Sequence, residues 1–148
     1  MVLSLVLTPA ALASTWYVNG VSGSNSNNCT SPTTPCKTIG RAISLAAPGD
    51  TVTVAAATYT ENLTINIIVK VIGSGANTTI IDGGGVGTVV KISNTTAHVT
   101  LSKLTIRNGN ATSGAGVKQL WHADANQQHR QWEFGTYPMY PLFCVLRT

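Results

Sequence analysis

GDTVTVAAATYTENLTI, residues 49–65, is the stretch whose reading decides the fold of this 148-residue chain. It holds TVTV at 51–54 and LTI at 63–65, short runs in which Val, Leu or Ile alternates with Thr. Such alternation sends the apolar side chains to one face of a strand and Thr to the other. The pattern recurs downstream as VKVI at 69–72, TTII at 78–81, VVKI at 89–92, VTL at 99–101 and LTI at 104–106. Between the runs lie GSGAN, DGGGVG, SNTTAH and RNGNATSGAG. Their Gly and Asn residues tolerate the left-handed backbone of tight corners. A β-sandwich would show longer strands joined by hairpin turns. Many short strands, each followed by a corner, instead predict a solenoid whose circuits stack on one another over residues 51–117.

Working towards the N-terminus, KTIGRAISLAA at 37–47 places Ile39, Ala42, Ile43 and Ala46 on one helical face, and Pro48-Gly49-Asp50 stops it. A solenoid end exposes strand edges and core, so a short helix here is expected to cap it. Residues 22–35 form a Ser/Asn/Pro loop within an N-terminal region that spans 14–50. MVLSLVLTPAALA at 1–13 is apolar, too short to cross a bilayer, and ends in an A-x-A pattern before Ser14. It reads as a signal peptide, although no Lys or Arg precedes the apolar run. The competing reading, a buried first strand, is opposed by Pro9 and the alanines. Export in turn predicts a disulfide between Cys29 and Cys36. A zinc site is the weaker alternative, because Cys144 is distant and no other Cys or His is near the pair.

Only 9% of residues are charged, which excludes a bundle of helices with charged outer faces. The formal charge is +4. Its carriers between Ser14 and Val117 are Lys37, Arg41, Lys70, Lys91, Lys103 and Arg107, and no two are adjacent. That is too dilute for a nucleic-acid footprint. No nucleic-acid partner and no membrane span in the mature chain are expected.

The motifs GDTV (49–52), TYTEN (58–62), IGSG (72–75), TIIDG (79–83) and LTIRNG (104–109) occur in that order. Together they resemble the opening of the pectate-lyase-like right-handed β-helix superfamily, over roughly residues 16–116. In that resemblance residues 58–62 form a turn. The resemblance implies an all-β fold, a right-handed single-stranded parallel β-helix with a short N-terminal capping helix. It is nearest to bacterial secreted or surface β-helix proteins without assigned catalysis. The expected function is therefore a non-catalytic secreted or cell-surface scaffold that binds polysaccharide or cell-surface glycan, or acts in adhesion. The alternative is a polysaccharide lyase or esterase that lacks its active-site coils, since catalytic residues of such enzymes sit on later coils.

Residues 118–148 break the pattern. They hold all four Gln, both Phe, two of three Trp and two of three His. A shift of reading frame explains this. Suppose each true codon takes the last two bases of one printed codon and the first of the next. Trp121–His122 and Trp132–Glu133 then force Gly whatever codons were used. The remaining junctions permit the string GTLTLTNSTVSGN, which is another β-helix coil. The tail is expected to be frameshifted, and the parent protein to have more coils.

Candidate chemistry is sparse. Residues 14–117 hold three acids, Asp50, Glu61 and Asp82, at different corners. Asp50 after Pro-Gly and Asp82 before three glycines read as turn residues. Calcium needs six to eight oxygens, so no metal site is expected. Lys103 and Arg107 flank LTI; they either face a saccharide acid or are solvated edge charges. His98 has no Ser or Cys nucleophile with a local base beside it. DGGGVG at 82–87 lacks the Lys-Ser/Thr ending of a phosphate loop. The sequons at Asn28, Asn62, Asn77, Asn94 and Asn110 are unremarkable in a chain so rich in Asn and Thr. Trp16, Tyr17 and Tyr59 either stack on sugar rings or pack against the cap. No catalytic residue and no cofactor are expected.

Overall fold

The computed structural model describes residues 12–93 and 97–119. Among them the order of elements is β1 (Thr15–Val18), α1 (Ile39–Leu45), β2 (Thr51–Val54), β3 (Ala57–Thr60), β4 (Leu63–Ile65), β5 (Val69–Gly73), β6 (Thr79–Asp82), β7 (Val90–Ile92), β8 (Val99–Ser102), β9 (Thr105–Arg107) and β10 (Val117–Gln119). The strands form three sheets, ordered β1-β2-β5-β8, β3-β6-β9 and β10-β7-β4. Every strand pairing is parallel. From β2 onward the chain visits the first, second and third sheet in turn, three times over, and each strand pairs with the one three places later. The fold is all-β and parallel, with one short helix. Parallel neighbours cannot be joined by a hairpin. Here the two intervening strands supply the crossover.

Register stacks like on like. Val52 lies beside Val71 and Val71 beside Leu101; Tyr59, Ile81 and Ile106 form a second row; Leu63, Val90 and Val117 form a third. The members from the first two circuits are buried, and Val52, Val71, Ile81 and Val90 are fully so. Burying a Val or Ile completely stabilises by roughly 1.5–3 kcal/mol, so these rows define the core. The alternation expected from the sequence holds for most residues, but Ile72 and Ile80 stand half-buried in outward positions and one Thr is turned in. Thr79 points inward and is fully buried, and its hydroxyl accepts the Ser74 N–H at 3.0 Å. That bond removes the cost of burying it.

The helix α1 lies against β1, β2 and β4 through Ile39, Ala42 and Ile43. It is two residues shorter at each end than the sequence suggests. Thr38 keeps an extended backbone (φ −120°, ψ 148°) and accepts the Arg41 N–H, as an N-cap does. Ala46 returns to extended backbone ahead of Pro48. Three strands were not legible as strands in the sequence. β1 has no alternation of its own to mark it, because its outer row carries Tyr17. Residues 58–62, expected as a turn, instead contribute to β3, because the Tyr59 ring is buried and its hydroxyl donates to the Ala55 carbonyl at 2.9 Å. β10 pairs with β7 and runs two residues past Val117. Residues 1–11 of the expected signal peptide and residues 120–148 of the expected frameshifted tail lie outside the described residues.

Candidate functional site

All three carboxylates among the described residues are committed to holding the fold. The Asp50 carboxylate is buried and accepts the Ser14 N–H at 2.7 Å, the Trp16 indole N–H at 2.8 Å and the Ala47 N–H at 2.8 Å. It ties β1 to the turn behind α1. Burial pushes this carboxyl up, but the indole of Trp16 and the two backbone N–H groups outweigh it and hold the group below the ordinary carboxylate range. Glu61 accepts the Ile39 and Gly40 N–H groups, both at 2.9 Å, at the start of α1. Asp82 accepts the Gly84 N–H at 2.9 Å, Arg107 Nε at 2.8 Å and Asn108 Nδ2 at 2.9 Å, joining the second circuit to the third. The Gly84 N–H, Arg107 and Asn108 lower the Asp82 carboxyl from its ordinary value. These acids stay at separate corners, and among the described residues no three His, Cys, Asp or Glu side chains gather where they would hold a metal.

A surface with room for a ligand is the outer face of the first sheet. Tyr17 stands in register with Thr53, Thr53 with Ile72 and Ile72 with Ser102, making one outward row; Thr15, Thr51, Lys70 and Thr100 make the other. At the β1 end the face deepens into a groove of about 290 Å³, lined by Tyr17, Asn19, Thr53 and Ser74 on one side and by Pro32 and Pro35 on the other. The prolines belong to the loop closed by the Cys29–Cys36 disulfide, whose Cα atoms are 5.0 Å apart. That loop pairs with the free edge of β1: Tyr17 N–H donates to the Cys29 carbonyl, Cys36 N–H to the Tyr17 carbonyl and Asn19 N–H to the Cys36 carbonyl, each at 2.8 Å. An open edge is thereby covered, and the groove wall is fixed to the sheet. Ser74 Oγ donates to the Val54 carbonyl at 3.1 Å, which holds the hydroxyl at the rim. An aromatic ring, two prolines and several hydroxyls in a concave strip suit a ligand with apolar faces and a hydroxyl rim.

The structure separates the three aromatic candidates. The Trp16 indole is held by Asp50 and packs on the core, and Tyr59 is buried, where burial raises its phenol above the ordinary value despite the Gly20 N–H. Tyr17 alone of the three lines the groove. Pro32, Pro35, Thr53 and Ser74 were not singled out in the sequence; the cue was the two-Cys loop next to TWYV, but which residues face each other depends on strand register. The remaining candidates disperse. Arg107 is paired with Asp82, while Lys103 and His98 are exposed. The loop at 82–87 is stapled from both sides, by Asn62 Nδ2 to the Val86 and Thr88 carbonyls and by the Gly85 N–H to the Asn108 carbonyl. Asn62 is therefore occupied within the fold although exposed, as is Asn28, whose Oδ1 accepts the Thr34 hydroxyl; Asn77 and Asn110 are exposed, and Asn94 lies outside the described residues.

The disulfide is compatible with an extracellular location, and among the described residues no helix is long and apolar enough to cross a membrane. No curated protein matches the chain. The family described as "Protein of unknown function (DUF1565)" matches residues 21–122, more than two thirds of the length. The match spans the disulfide loop, the helix and all three circuits, so the chain belongs to the DUF1565 family.

Proposed function

We propose that this chain forms part of a secreted or cell-surface scaffold, non-catalytic, in which a right-handed parallel β-helix presents a glycan-binding face. The threefold repetition of the sheet order supports the β-helix, and parallel crossovers are almost always right-handed. A single observation carries the ligand assignment: Tyr17, with Pro32 and Pro35 opposite, lines a groove rimmed by Thr53 and Ser74 hydroxyls. Sugar rings have apolar C–H faces that stack on aromatic rings and hydroxyls that bond to a polar rim. The outer rows carry Thr51 and Thr53 on β2 and Thr100 and Ser102 on β8, with Lys70 and Ile72 between them, so hydroxyls recur below the groove on the third circuit. The test is binding of the purified chain to an array of oligosaccharides, with Tyr17→Ala beside it. Tyr17 is in an outward position, so the substitution is expected to leave thermal unfolding nearly unchanged and to weaken binding by about tenfold or more. Equal binding by both proteins would remove the groove from the reading.

A further inference from the structure

We infer that the glycan bound on the first sheet is acidic, and that Lys70 and Lys103 receive its anionic groups; this rests on the glycan-binding reading above. The first observation is the segregation of charge. Among the described residues all three carboxylates are tied to N–H donors inside the fold, by Asp50 at β1, Glu61 at α1 and Asp82 at Arg107. Apart from Arg107, no cation there is paired with a carboxylate. The surface of the described residues thus offers free positive charge and no free negative charge to a ligand. The sequence cannot show this, because three acids against seven cations reads as an ordinary dilute mixture.

The second observation is where two of those cations stand. Lys70 is exposed in the outer row of β5, one rung below Thr51 and two residues before Ile72. With about 4.8 Å between rungs and about 3.3 Å per residue, it lies roughly 12 Å from Tyr17, within the span of a short oligosaccharide. Lys103 follows β8 at the corner below Ser74. Its backbone is pressed against Gly73: a Cβ added at Gly73 would come 2.1 Å from the Lys103 carbonyl oxygen. Lys70 thus stands two residues before Ile72 in the strip that runs from the groove through Thr53 and Ile72 to Ser102, and the exposed Lys103 directly follows the last residue of that strip.

The third observation concerns the Lys103 backbone. Its φ is +54°, a left-handed conformation that is unfavourable for an L-residue and that Gly or Asn adopts more readily. The other residues with positive φ are glycines, Asn108, whose side chain is tied to Asp82, and Cys29, held by its disulfide. Lys103 has neither the side-chain tolerance nor a covalent tie. A long cationic side chain at a strained corner beside a groove fits ligand capture, since such strain gathers at binding sites.

The experiment uses the full chain and a glycan array that holds neutral oligosaccharides beside their uronate and sulfated counterparts. The acidic members are expected to bind about tenfold more tightly than their neutral counterparts, and to weaken as salt rises. Lys70→Gln and Lys103→Asn are each expected to weaken acidic binding severalfold. Lys103→Asn should also hold or raise the melting temperature, because Asn suits the left-handed corner, so lost binding would not reflect lost folding. Lys91→Gln, on the outer face of the third sheet, should leave binding unchanged. Equal binding of neutral and acidic members would overturn the acidic assignment and leave the glycan reading standing. Binding to no glycan would overturn both. Acidic binding that is untouched by Lys70→Gln and Lys103→Asn, or weakened as much by Lys91→Gln, would overturn the site.

Discussion

A buried carboxylate that accepts three N–H groups is dearer to remove than any surface charge, because its donors are left without partners. Asp50 is such a group, bonded to Ser14, Trp16 and Ala47. Asp50→Ala is expected to cost about 2–4 kcal/mol of unfolding free energy in a denaturant titration, since each stranded donor costs about 1 kcal/mol or more. The pH dependence follows from the same contacts. Asp50 and Asp82 both have lowered carboxyl groups, so their contribution is complete above the unfolded-state value near 4 and is lost as pH falls through the lower folded values. Thermal unfolding should therefore be level from pH 7 to about pH 5 and fall steeply below about 4. In Asp50→Ala that acid slope should be shallower. An unchanged slope would mean that Asp50 carries none of it.

At the scale of elements, the N-terminal loop and helix each close one exposure of the strands. The disulfide loop covers the edge of β1, and α1 covers the end of the core. Closing eight residues by the Cys29–Cys36 bond is worth about 2.5 kcal/mol from loop entropy alone. The double substitution Cys29→Ser/Cys36→Ser should lower stability by about that amount and also loosen Pro32 and Pro35 against Tyr17, so glycan binding falls with it. Intact-mass measurement on exported protein checks the premise: the mature chain should begin at Ser14 and carry the bond. Free thiols at both positions would contradict it. The helix was legible from the spacing of Ile39, Ala42 and Ile43 and from the Pro48-Gly49 stop, because those signals are local. β3 was not, because what makes residues 57–60 a strand is the burial of Tyr59 beneath the N-terminal segment and its pairing with β6, and neither is local.

Across the whole molecule the core thins from the first circuit to the last. Val71, Ile81 and Val90 are fully buried, whereas Leu101, Ile106 and Val117 beside them are only partly so. Circuits stabilise one another by stacking, and about three are needed before that outweighs chain entropy. If the frame is shifted after Val117, restoring it is expected to supply a further coil against β8 and β9. The restored protein should melt at higher temperature and stay monomeric, while the chain as given should be prone to aggregate. If the chain as given proves monomeric, melts cooperatively and has a protease-resistant tail, the frameshift reading fails.

The sequence by itself determined the class of fold, the boundaries of most strands to within a residue, the capping helix and the cysteine pair, because alternation, helical spacing, turn residues and a short Cys loop are all local signals. It also singled out Tyr17, Lys103 and the three acids, without ranking them. Only the tertiary structure decided their roles. Parallel register set Tyr17 beside Thr53 and opposite two prolines, turned Trp16 and Tyr59 inward, and drew Asp50, Glu61 and Asp82 onto backbone and side-chain donors from distant parts of the chain. Residues some twenty to thirty positions apart become neighbours in a stacked circuit, and no local pattern in a chain of Thr, Val and Gly records which of them will meet.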